Sequence, residues 1–266
     1  MEPTIRKSGL LQMPPDIQNA IQTLRTNIQF AGIDHAYKSI AVTSAVPSEG
    51  KSTVALLLAV SMAEAGKRTL IVDCDCRRPM IGNRLNVRPQ YTWLDILAKG
   101  MPLSAVAVQT QQPNLFFLDA EPQLPHAVEL IASNRFAQLM QDADAAFDVV
   151  IYDTPPLGSF IEAAVLASKV DGTLLVISTG KVNVSKEREV LEQLKKVSAH
   201  IIGAVLNGVK GNKNSDYYYY YYNRGEKHKR KRRKEDGSRL PRSAQAHKQS
   251  QPAAPADAPF DAGKQA

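Results

Sequence analysis

The chain has 266 residues, 44% of them hydrophobic, enough to bury one substantial core and to fill one or two domains. Between Arg224 and Arg242 ten Lys or Arg stand against three acids, so the net +7 of the whole chain sits in this one segment and the remainder is formally neutral. No apolar run near the N-terminus has the form of a signal peptide and no stretch supplies the roughly 18 apolar residues of a membrane span, so a cytoplasmic protein is expected; Cys74 and Cys76 have neither the number nor the companions for a disulfide framework or a zinc box.

Residues 1–37 contain one amphipathic segment, PPDIQNAIQTLRTNIQFAG (14–32), with Ile17, Ala20, Ile21, Leu24 and Ile28 at helical spacing. It is expected to pack on the core or on another subunit. From 38 to 210, short runs rich in Val, Ile and Leu alternate with longer helical ones. Buried strands are predicted at 39–45, 68–74, 114–120, 147–153, 171–178 and 200–207, with helices at 51–67, 125–143, 161–169 and 185–197. That succession implies an α/β fold, a mostly parallel sheet covered by helices on both faces. The segment from 211 to 266 holds a run of six tyrosines, the basic stretch and a Pro-, Ala- and Gln-biased end of the kind expected to be disordered.

SAVPSEGKST (44–53) lies between the first predicted strand and the next helix. Gly50 lets the backbone approach phosphates, amides at the helix start face the anion, Lys51 can reach the β- and γ-phosphates, and the Ser52 hydroxyl can ligate Mg²⁺. Ser44 stands where the general phosphate-loop pattern GxxxxGK[ST] has its first glycine. The plain alternative is a strand-to-helix turn. Asp73 and Asp75 in LIVDCDCRRP, and Asp153 in VVIYDTPP, each close an apolar run. In a parallel doubly wound sheet the ligand crevice lies outside those ends. Carboxylates beside a phosphate call for a cation between them, so Mg²⁺ is the expected partner of ATP. Taken singly, an Asp after a strand also serves as a helix cap or turn residue.

In their order, SAVPSEGKST, TLIVDCDCRRP and VVIYDTPP resemble the three Walker-type motifs of the bacterial tyrosine kinases, cytoplasmic enzymes of capsule and exopolysaccharide synthesis. The resemblance runs from about Ile17 to the tyrosine run and implies a phosphate-loop kinase fold over 38–210. By position it makes Lys51, Asp73, Asp75 and Asp153 catalytic. Asp73 would be the base, Ser52, Asp75 and Asp153 the groups at the metal, and Ser48, Glu49, Gly50, Lys51, Ser52, Thr53 and Asn207 the ATP site, with Asn207 at adenine. A turn role for Asn207 before Gly208 stays open. Tyr217, Tyr218, Tyr219, Tyr220, Tyr221 and Tyr222 become substrate.

The same resemblance implies a homo-oligomer and recruitment to the inner face of the plasma membrane by a transmembrane polysaccharide chain-length regulator that activates the kinase. An opposing tyrosine phosphatase is implied as well. The sequence departs from the family at Ser48, where glycine is usual, at Asn19 and Gln22, which with Arg25 occupy the Glu-x-x-Arg-x-x-Arg positions of subunit contact, and at Glu162, where Asp is usual. Two other readings stay open. A partitioning or division-site ATPase of the same broad fold would carry a second lysine early in the loop, where this chain has Val46; a catalytically weak scaffold would act through its charged tail. For that basic tail an anionic membrane surface is a better partner than nucleic acid, since no nucleic-acid reader module is recognisable.

Overall fold

The computed structural model describes residues 13–33, 36–181 and 183–209. The tyrosine run and the basic segment lie outside them, as does His35. The elements follow in chain order as α1 (Pro15–Ala31), β1 (Ser39–Ser44), α2 (Lys51–Glu64), β2 (Thr69–Asp73), α3 (Ile81–Leu85), α4 (Trp93–Lys99), α5 (Leu103–Val106), β3 (Val108–Gln109), β4 (Leu115–Leu118), α6 (Ala127–Ala132), α7 (Asn134–Ala146), β5 (Val149–Asp153), α8 (Glu162–Ala167), β6 (Gly172–Ser178), α9 (Val184–Lys196) and β7 (Ile201–Asn207). Seven strands form one sheet in the order β3-β4-β2-β5-β1-β6-β7. Every pairing is parallel except the short edge strand β3 on β4.

Both faces of the central strands are covered, which is why they read as unbroken apolar runs. On one face Ile40, Val42, Ile71 and Ile151 pack with α1 and α2; on the other Ala41, Leu70, Val72, Val150 and Tyr152 pack with α4 to α7. Every residue of α2 from Val54 to Ala63 is buried. A helix apolar all round needs cover on both sides, and Ile17, Ile21, Leu24 and Ile28 of α1 join its cluster. Leu157, Ala163, Val190 and Leu194 form a smaller core with α8 and α9.

Three expectations are corrected. The helix predicted over 125–143 is two, because Ser133 leaves helical geometry and its hydroxyl accepts the Phe136 amide at 3.2 Å, starting α7 afresh. The strand predicted at 200–207 is not buried: β7 is a sheet edge, half-exposed along its length and exposed at Ala204 and Leu206. The stretch from 81 to 109, where no element is predicted, holds α3, α4, α5 and β3. Each is shorter than eight residues, too short to show a period.

Among the described residues no helix is long and apolar enough to cross a membrane.

Candidate active site

The register of the sheet sets the site. Asp73 at the end of β2 pairs with Asp153 at the end of β5, and β1 runs beside β5 into the loop at 45–50. That loop closes on Gly50, whose φ of 94° suits glycine, and a Cβ there would collide with the Asn207 side chain. The segment after Asp153 is tied to the same loop, the amides of Leu157 and Gly158 donating to Ser44 O and Ala45 O at 2.8 and 3.1 Å.

Lys51 opens α2 with its ammonium turned to the carboxylates. Nζ lies 2.9 Å from Asp75 Oδ2, 3.8 Å from Asp153 Oδ1 and 3.2 Å from Ser52 Oγ. Burial works against the Lys51 charge, but Asp153 and Asp75 outweigh it and raise its proton affinity above the ordinary lysine value. Asp73 is fully buried; Oδ1 accepts the Asp75 amide at 3.0 Å, and Oδ2 accepts those of Met80 and Ile81 at 2.9 and 3.1 Å. Burial, reinforced by Asp153, pushes its carboxyl well above the usual range, against the pull of those amides. Asp153 is also fully buried and raised by burial, with Lys51 opposing.

Neither oxygen of Asp153 accepts a well-formed hydrogen bond, and only the Lys51 charge at 3.8 Å and the neighbouring Ser52 hydroxyl favour its ionised form. A buried carboxylate so thinly satisfied has room for a ligand. Three carboxylates around one ammonium leave two negative charges uncompensated when all are ionised, which fits a divalent cation. No group of three or more His, Cys, Asp or Glu among the described residues could hold a metal ion. Oxygens of Ser52, phosphate and water would have to complete the shell, as Mg²⁺ bound with a nucleotide requires.

The loop residues divide by what they touch. Ser48 takes a φ of 65°, left-handed for a non-glycine, and its carbonyl accepts from Lys181 Nζ at 2.6 Å. Glu49, placed in the ATP set by position, turns its side chain into the protein: Oε2 accepts the Val46 amide at 2.9 Å and Oε1 the Ser178 amide at 3.0 Å. Thr53 Oγ1 accepts from Arg84 Nη1 at 2.7 Å. Asn207, paired with Ser178 in the sheet, donates from Nδ2 to Glu49 O at 2.8 Å and accepts the Gly208 amide on Oδ1 at 2.9 Å. In this arrangement its amide braces the loop.

Sequence reasoning passed over Trp93 and the pairing of Arg77 with Glu162. Trp93, fully buried, donates from Nε1 to Asp73 O at 3.1 Å and so pins α4 to the end of β2. It is the one tryptophan of the chain, in a stretch with no periodicity to mark it. Arg77 Nη2 reaches Glu162 Oε1 at 3.0 Å, and the Glu162 side chain is 4% exposed. The two cysteines flanking Asp75 are buried, and burial lifts the Cys76 thiol to about 12, so it stays protonated and inert at neutral pH.

A phosphate loop at the carboxyl edge of a parallel sheet, backed by strand-end aspartates, defines a phosphate-loop nucleotide-binding protein. Residues 37–205 match the AAA domain family, and the fold resembles the septum site-determining protein MinD of Pyrococcus horikoshii at a TM-score of 0.57 and 23% identity, covering 66% of this chain and 72% of that one. The chain is also 37% identical over 196 residues to the tyrosine-protein kinase YwqD of Bacillus subtilis (strain 168), covering 74% of this chain and 83% of that one. The kinase domain of the Escherichia coli tyrosine kinase ETK superposes with a TM-score of 0.68 at 29% identity, over 72% of this chain and 75% of that one. This chain belongs to the bacterial tyrosine-protein kinase family.

Proposed function

We propose that this chain is an ATP- and Mg²⁺-dependent protein-tyrosine kinase that phosphorylates its own C-terminal tyrosine cluster, Tyr217 to Tyr222, and regulates capsule or exopolysaccharide synthesis. The observation that carries the chemistry is the buried set of Lys51, Asp75 and Asp153 at the phosphate loop, with Asp153 held only by the ion pair to Lys51 at 3.8 Å and by Ser52 nearby.

In this reading Lys51 leaves Asp75 to meet the β- and γ-phosphates, while the amides of Gly50, Lys51, Ser52 and Thr53 surround them. Ser52, Asp75 and Asp153 would hold the cation. When bound, Mg²⁺ would supply neutralisation of the charge on the phosphate oxygens. A phenol of pKa about 10 is nearly all protonated at neutral pH, so its proton needs an acceptor. Asp73 is suited to that task. Burial raises its affinity for a proton, and Oδ1 accepts a single amide, keeping a lone pair in reserve. The phenolic oxygen bonds to the γ-phosphorus, the bond to the β-γ bridging oxygen breaks, the proton passes to Asp73 and ADP leaves. Asn207 and Glu49 keep the loop in shape, with Asn207 also next to the adenine.

Transfer between copies is the simplest route, because Tyr217 follows Asn207 by ten residues, a linker of at most about 33 Å that would have to turn back sharply to serve its own site. A transmembrane chain-length regulator acting as activator, an opposing phosphatase, a homo-oligomer, and recruitment to the inner face of the plasma membrane complete the proposal, on the strength of the motif resemblance.

Incubation with labelled ATP tests it. Phosphotyrosine on the tail is expected; ADP and inorganic phosphate without phosphotyrosine would instead mark a partitioning-type ATPase, and neither product a scaffold. Asp73→Asn is expected to keep ATP binding while tyrosine transfer falls about 100-fold or more. Undiminished transfer, followed by phosphotyrosine mass spectrometry, would remove Asp73 as the base.

A further inference from the structure

Beside the phosphate-loop site a pocket of about 540 Å³ is lined by residues that include Arg77, Gln123, Leu124, Val128, Glu129 and Glu162. It draws on the loops at the carboxyl ends of β2 and β4 and on the starts of α6 and α8. Arg77 lies two residues past Asp75, and the next amide, that of Arg78, donates to Asp75 Oδ1 at 3.1 Å, so pocket and carboxylates share one loop. The opposite wall is built against its own backbone preference. Gln123 and His126 both take a left-handed φ of 56°, and the Gln123 amide donates to Cys76 O at 2.6 Å. Strain of that kind persists where the surroundings impose it, often at binding sites.

We infer that this pocket docks an unmodified tyrosine of the tail of a second copy, next to the one receiving phosphate, and rejects the phosphorylated form. The inference rests on the kinase reading above. Arg77 lines the pocket, and its guanidinium lies 4.1 Å over the ring of Phe160, which does not line it. A phenol ring stacks on the guanidinium and on Leu124 and Val128. Its hydroxyl donates to a carboxylate, Glu162 or Glu129. A phosphotyrosine, carrying about −1.5 to −2, meets a lining whose one arginine is already held by Glu162 at 3.0 Å, which leaves the Glu129 charge over, and is repelled. The acidic pair also suits a tyrosine run followed at once by basic residues. Alternate tyrosines of an extended run stand on one face about 6.6 Å apart, so one phenol can dock while its neighbour reacts.

The test is peptide binding, followed by fluorescence anisotropy, to the full-length chain with its own six tyrosines replaced (Tyr217→Ala to Tyr222→Ala). The probes are a peptide of residues 213–225 and the same peptide phosphorylated at alternate tyrosines. The unmodified peptide is expected to bind about tenfold more tightly than the phosphorylated one. Filling the pocket with Val128→Trp is expected to cost about tenfold in peptide affinity and to leave ATP affinity unchanged. Glu129→Lys, at an exposed carboxylate, is expected to narrow the gap between the peptides and serves if Val128→Trp folds poorly. Equal or tighter binding of the phosphorylated peptide, or peptide affinity unmoved by both variants, overturns the inference. No phosphotransfer is involved, so a chain that binds the peptide here but makes no phosphotyrosine would sink the kinase reading and leave the pocket standing.

Discussion

Ser48 holds a left-handed φ of 65° in the tightest part of the phosphate loop, where an L side chain costs about 1–2 kcal/mol. Its tie to Lys181 runs through the backbone carbonyl and survives a change of side chain. Ser48→Gly is therefore expected to stabilise the chain by about 1 kcal/mol, after the entropy of the added glycine, and to tighten ATP binding; thermal unfolding and nucleotide titration check both. Glu49 works in the opposite sense. Its two oxygens each accept a backbone amide, one from the loop and one from the end of β6, with no exposure to water. Glu49→Gln turns one acceptor into a donor facing an N–H, a loss of about 1–3 kcal/mol. Weaker ATP binding with unchanged chemistry per bound nucleotide is the expected split between KM and kcat.

At the level of elements, α1 docks on α2 through Ile21 and Ile28 and through Arg25, whose Nη1 donates to Ser61 O at 2.7 Å and lies 3.3 Å from Ser61 Oγ. The motif resemblance assigns this arginine to a subunit contact. Here it is engaged within its own chain. Arg25→Ala removes a charge-assisted bond to a carbonyl of a buried helix, about 1.5–3 kcal/mol, and is expected to lower Tm by about 3–10 °C in a domain of this size. An unchanged Tm alongside a smaller assembly in sedimentation would return Arg25 to the subunit interface. Asn19 and Gln22 lie in the same helix, both exposed.

For the whole molecule, the charge of the tail and the position of the writer belong together. Six phosphotyrosines would add roughly −9 to −12, more than the +7 carried from Arg224 to Arg242. Phosphorylation is expected to release the chain from anionic vesicles at physiological salt, read by sedimentation of the phosphorylated and unphosphorylated protein; equal binding would leave the switch without support. Kinase-dead Lys51→Met chain mixed with an active chain lacking its tail is expected to gain phosphotyrosine. None on the Lys51→Met tail would exclude transfer between copies.

The alternation of apolar runs with helices, the phosphate loop, and the two acid-bearing motifs at strand ends were legible from residue order, because a buried parallel strand and a phosphate loop are local patterns. Legible too was that Lys51, Asp73, Asp75 and Asp153 would meet, since the carboxyl ends of parallel strands share one edge. What the order of residues left open depends on contacts between distant segments. Glu49 becomes a brace only because β6 brings the Ser178 amide to it, Trp93 reaches Asp73 O from a helix with no period, and Arg77 finds Glu162 across 85 positions of chain. The pocket beside Asp75 exists only where the loops after β2 and β4 meet the starts of α6 and α8. Local preference, which at Gln123 and His126 runs against the observed backbone, could not have announced it.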